Sequence, residues 1–96
     1  MKIEKTRYEK SPDIVFRKIA DESILVPITR TAKDVSYIYT LNDTAARMWE
    51  LIDGKRTFSQ ILDAIVGDFD VSREEAEKDL AEFLQLIEKS GAIKKA

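Results

Sequence analysis

One change of rhythm constrains this chain most. The spacing of its apolar residues switches from every second position to every third or fourth at Leu41–Asn42. Before the switch, "IVFRKIA" and "SILVPITR" are rich in β-branched residues and read as two strands joined by a tight turn at "DE". Ile24, Val26 and Ile28 share one face of the second, although Pro27 donates no ladder hydrogen bond and suits an edge or a bulge. "TAKD" turns the chain again into Val35–Leu41, where Val35, Tyr37, Tyr39 and Leu41 alternate with Ser36, Ile38 and Thr40. Short turns between three such segments imply an antiparallel meander.

After the switch the pattern is helical. Asn42 or Asp43 is placed to cap a helix with Ala45, Met48, Trp49 and Ile52 on its inner face and Gly54 at its end. Thr57 and Gln60 have capping-box spacing ahead of Ile61, Leu62, Ile65, Val66 and Phe69. Ser72 and Glu75 repeat that spacing, with Val71 positioned to staple onto Ala76. The third helix then carries Ala76, Leu80, Phe83, Leu84 and Ile87 inward and ends at Gly91. The expected fold is α+β and winged-helix-like, with a three-stranded antiparallel sheet followed by three helices. Residues 1–13 are polar, lack a sustained period and end in a Ser-Pro turn signal, so they are expected to be a flexible lead-in to a domain at 14–93.

Composition removes most chemistry. The 96 residues contain no cysteine and no histidine. That excludes disulfides, thiolate nucleophiles, histidine triads and most zinc or iron sites, and no cofactor is expected. Three glycines provide no phosphate-cradling loop. "DFDVSREEAEKD" superficially suggests a calcium loop, but Arg73 stands where the sharp turn needs glycine and Asp79 where the final glutamate belongs. Capping by Ser72 explains that segment, and Glu74 and Glu75 suit the positive end of a helix. No catalytic residue is therefore assigned. Neither "MKIEKTRYEK" nor any later run resembles a signal or membrane-spanning segment, so a cytoplasmic location without membrane contact is expected.

Three helices beside a sheet also describe a DNA-binding winged helix. Charge argues against it. Between Ser72 and Ser90, Glu74, Glu75, Glu77, Asp79, Glu82 and Glu88 outnumber Arg73, Lys78 and Lys89. A helix of that sign is repelled by a duplex with one phosphate charge per about 1.7 Å. The other alternative is a structural module in which the free strand edge pairs with a second copy, and a monomer or weak homodimer is the expected state.

From "YTLNDTAARMWELIDGKRTFSQILDAI" onward the chain resembles the PqqD-like family. Its members are small peptide chaperones named for pyrroloquinoline quinone biosynthesis, and they share the domain called the RiPP recognition element. The likeness rests on Leu41-Asn42, the Trp49 helix, and Asp53-Gly54 followed by Thr57 and Ile61. It continues through Val71, Asp79-Leu80, Phe83-Leu84, Leu86 and Gly91 to Ile93. The resemblance implies a non-catalytic domain that captures a precursor's leader peptide as an added strand and presents it to a modifying enzyme, often a radical SAM protein. The implied site is the edge of the third strand (Val35, Ser36, Tyr37, Ile38, Tyr39 and Thr40) facing the third helix. There Asp79 is a candidate acceptor, and Leu80 and Leu84 divide between core and pocket floor. "TRTAKD" departs from the Pro- and Gly-containing turn of quinone-pathway members, which leaves the pathway open between that cofactor and another modified peptide.

Overall fold

Each helix begins where a short polar side chain replaces the missing backbone partner of its first turn. In the computed structural model, which describes residues 3–27 and 39–96, Asn42 Oδ1 accepts the Ala45 N–H at 2.8 Å and starts α1, Asp43–Leu51. Thr57 and Gln60 form the full reciprocal box at the start of α2, Phe58–Asp68. Ser72 accepts the Glu75 N–H at 3.2 Å to start α3, Arg73–Lys89. Only this half of the second box is made, so Glu75 contributes charge near the helix dipole rather than a return bond.

α1 ends earlier than its sequence suggests. Ile52 caps it, and Asp53 Oδ1 then accepts the N–H groups of Lys55 and Arg56 at 2.9 and 2.8 Å. Those two bonds hold the carboxyl below the usual aspartate range and turn the chain away from the helix. Gly54 sits inside this turn at φ 78, a left-handed conformation that glycine adopts freely. α3 ends as expected: Gly91 takes φ 86 after Ser90, and the Ala92 N–H returns to the Ile87 carbonyl.

The sheet contains β2 (Ile14–Ile19), β3 (Glu22–Pro27) and β4 (Tyr39–Leu41) in the order β2-β3-β4, all antiparallel. The β2–β3 turn falls at Ala20-Asp21, one position before the expected "DE", and Ala20 is left-handed at φ 55. Phe16, Leu25 and Tyr39 lie opposite one another on one face, and Ser23 lies opposite Leu41 on the same face. Ser23, Leu25 and Leu41 are buried, so this face meets the helices, whereas Ile24 and Val26 lie on the other. Val35–Ile38, the first half of the expected third strand, and Ile28 fall outside the described residues.

The N-terminal lead-in requires correction. Ile3–Lys5 form a single 3-10 turn, and β1 (Tyr8–Lys10) pairs antiparallel with β5 (Ile93–Lys95) in a second, two-stranded sheet. Tyr8 is 3% exposed and Ile93 2%. The Tyr8 carbonyl accepts the Gly54 N–H at 2.7 Å, and the Thr6 carbonyl accepts the Phe58 N–H at 2.8 Å. A three-residue strand is too short to show a period, which is why the sequence of this segment reads as irregular.

The core is formed by α1 (Met48, Trp49, Leu51), α2 (Phe58, Ile61, Leu62, Ile65) and the α3 stripe Ala76, Leu80, Leu84 and Ile87. Tyr8, Leu25, Leu41 and Ile93 close it from the two sheets. Arg47 bridges α1 to Asp68 at the end of α2, and Arg73 bridges α3 to Asp63. Exposed pairs of this kind set orientation more than stability.

Candidate functional site

Among the described residues β4 is the last strand of the sheet order, with β3 beside it. Two hollows lie near the two ends of β4, one lined by α3 and the other by residues just past it. At the Leu41 end lies a groove of about 270 Å³ lined by Asn42, Thr44, Ala45 and Met48 from α1 and its cap, and by Asp79, Glu82 and Phe83 from α3. At the other end Tyr39 shares a small pocket of about 40 Å³ with Ile14, Leu25 and Pro27, closed by Ser90 and Ala92 beyond α3. The hollow at the Leu41 end thus meets the first half of α3, and the one at the Tyr39 end meets the residues just beyond the α3 C-terminus.

Why α3 can serve core and groove together follows from its spacing. Ala76, Leu80, Leu84 and Ile87 form the buried stripe. Asp79, Glu82, Phe83 and Leu86 form a second stripe about one residue out of phase. Phe83 is half-buried at the edge of the core, and Leu86 is 49% exposed. On the far flank of α3 a third hollow, about 320 Å³, lies between Ala81, Leu84, Gln85 and Glu88 and the N-terminal segment at Ile3, Thr6 and Tyr8. Burial, reinforced by the Glu88 carboxylate, raises the Tyr8 hydroxyl above its ordinary pKa.

These positions sort the expected site residues. Tyr39 and Thr40 lie on β4, Tyr39 half-buried on the helix-facing side and Thr40 exposed on the other. Val35, Ser36, Tyr37 and Ile38 lie outside the described residues. Asp79 lines the larger groove. Leu80 and Leu84 are 0% and 1% exposed, so both are core; Leu84 reaches a surface only at the hollow on the opposite flank. Glu82, Asn42, Thr44 and Met48 were not singled out as site residues, and Phe83 was read as core alone. The available signal was the Asp79, Phe83, Leu86 spacing of four and three, which places an aromatic and a leucine beside the core stripe rather than within it.

The family profile described as coenzyme PQQ synthesis protein D (PqqD) matches residues 22–93. The chain belongs to the PqqD family. Two solved structures share the fold of this PqqD-family chain. TbiB1, in complex with the TbiA(beta) leader peptide, is 24% identical with a TM-score of 0.71, covering 90% of this chain and 94% of that one. Lasso peptide synthetase B1, complexed with the leader peptide, is 18% identical with a TM-score of 0.73, covering 92% and 98%. No curated protein sequence matches the chain significantly. The PqqD match begins at β3, so β1 and β2 lie outside it while β4, α1 and α3 lie within. Among the described residues of this PqqD-family domain, no three acidic side chains gather as a metal ion would need, and no helix is long and apolar enough to cross a membrane.

Proposed function

We propose that this chain binds the leader segment of a ribosomally made precursor peptide as a strand added beside β4 and against α3. It then presents the peptide to a modifying enzyme, a radical SAM protein being the partner class expected, without catalysing a reaction itself. The observation that carries this reading is the pairing of β4, the last described strand of the sheet, with a recessed helix face, in a fold shared with two proteins whose structures hold leader peptides. Strand addition suits the task physically. Main-chain hydrogen bonds give affinity that tolerates sequence change, and recesses for alternate side chains give choice.

The test is a titration of the isotopically labelled protein with the leader of the precursor encoded beside it. Amide shifts concentrated in 39–45 and 79–86 support the reading. Saturable binding with shifts confined to α2 or the outer face of β2 moves the site elsewhere. No binding by any neighbouring leader removes peptide capture as the function.

A further inference from the structure

The groove beyond Leu41 combines an apolar floor with an acidic rim. Its floor comes from Met48, Ala45 and the half-buried ring of Phe83, and among the described residues the only charged groups that line it are Asp79 and Glu82. Both carboxylates are on exposed residues, and three residues apart on a helix they share a face. Elsewhere on α1 and α2, Glu50 and Asp68 hold Arg47, Asp53 holds Arg56, and Asp63 holds Arg73, whereas Asp43 beside the groove and Glu74, Glu75 and Glu77 earlier on α3 form no ion pair among the described residues. Asp79 and Glu82 have none among the described residues; even Lys78, one turn before Glu82, forms no ion pair with it. The nearby Arg47 is already engaged by two acids.

Position adds a second, independent argument. Asn42 follows β4 directly and lines the groove, so a strand laid along β4 runs into this recess. In an extended peptide, side chains one position apart point to opposite faces and those two apart to the same face, about 6.5–7 Å along the strand. An apolar side chain can then seat on Met48 and Phe83 while a cation two positions along reaches the rim.

We propose that this groove is the selectivity element of the site, taking a leader segment in which a lysine or arginine two positions from an apolar residue is held by Asp79 and Glu82. The inference rests on the peptide-binding reading and adds the charge of the peptide to it. A lysine or arginine held by both carboxylates makes two charge-assisted hydrogen bonds, which exceed the worth of a single exposed pair.

The experiment titrates the fluorescein-labelled leader of the neighbouring precursor against the parent chain and the double variant Asp79→Asn, Glu82→Gln. The control, Glu74→Gln with Glu77→Gln, removes the same charge from α3 outside the groove. A second leader has its lysines and arginines changed to glutamine. Circular dichroism melts establish that every variant is folded. The expected result is an affinity loss of about 10-fold in the groove variant, little change in the control, and no further loss when the neutral leader meets the groove variant. Binding of the parent should also weaken as ionic strength rises from about 0.05 to about 0.3 M, where screening shortens from over 10 Å to under 10 Å. If the leader binds the parent and the groove variant within 2-fold of each other, charge selection is wrong while peptide capture stands. If it binds neither, peptide capture fails and the inference falls with it. A bound leader segment without lysine or arginine overturns the inference directly.

Discussion

Replacing Tyr8 with alanine tests whether the N-terminal segment is part of the fold. The ring is 3% exposed, sits on β1 opposite Lys95, and joins the core that includes Leu84, Ile87 and Ile93. Removing a buried aromatic costs about 3–5 kcal/mol where the surroundings cannot collapse. Tyr8 also lines the open hollow against Glu88, so water can enter part of the space and the lower end, about 3 kcal/mol, applies. The backbone bonds from Gly54 and Phe58 to this segment remain possible in the variant, so the side chain alone is measured. For a domain of this size, each kcal/mol moves the melting temperature by about 4–8 °C, which gives a fall of about 12–24 °C. A loose lead-in would instead respond as an exposed surface does, within about 0.5 kcal/mol. Thermal melts by circular dichroism, with urea titrations to confirm an unchanged slope, decide between the two. A fall of less than about 4 °C would refute the structural role of β1.

Tyr8→Phe probes the same ring through pH. Burial and Glu88 raise the folded-state pKa of Tyr8 above 10.0, so its contribution is complete below that value and is lost as pH rises through the raised one. The phenylalanine variant should therefore lose less stability than the parent between about pH 9 and pH 11 in urea titrations, and equal losses would contradict the assignment. Ala20→Gly should raise the melting temperature by several degrees, because φ 55 in a two-residue turn suits glycine and strains alanine by about 1–2 kcal/mol; a fall would show that the turn is unstrained. Leu80→Ala should cost about 2–5 kcal/mol, as expected of a fully buried side chain. Phe83→Ala should cost less in stability but weaken leader binding in the anisotropy titration, and the reverse ranking would exchange core and groove.

How much of this was legible in sequence depended on element length. The three helices could be read because each has a polar cap and at least two turns of period, and Asn42, Thr57 and Ser72 act as their spacing predicts. The end of α1 was misplaced because Gly54 looked like a terminator. The actual stop is the Asp53 carboxylate bonding forward to Lys55 and Arg56, a local competition that periodicity does not register. β1 and β5 were missed for a different reason. Three residues each carry no usable alternation, and their pairing joins positions about 85 apart, so nothing local announces it.

The site was half legible for a reason that lies in α3 itself. A helix that packs on one side satisfies its fold with one apolar stripe, and Ala76, Leu80, Leu84 and Ile87 complete that stripe. Phe83 and Leu86 lie outside it, Phe83 half-buried against its edge and Leu86 exposed. In sequence Phe83 reads as inward with the core, and Leu80 and Leu84 as divided between core and pocket floor, whereas the phase of the buried stripe puts Leu80 and Leu84 in the core and Phe83 at its edge. Apolar residues displaced by one position from a complete core stripe, beside acids that have no cation, are what an unoccupied recognition face requires. Such residues contribute less to the stability of the isolated domain than the core stripe does, and the rest of their worth is realised when a second chain covers them.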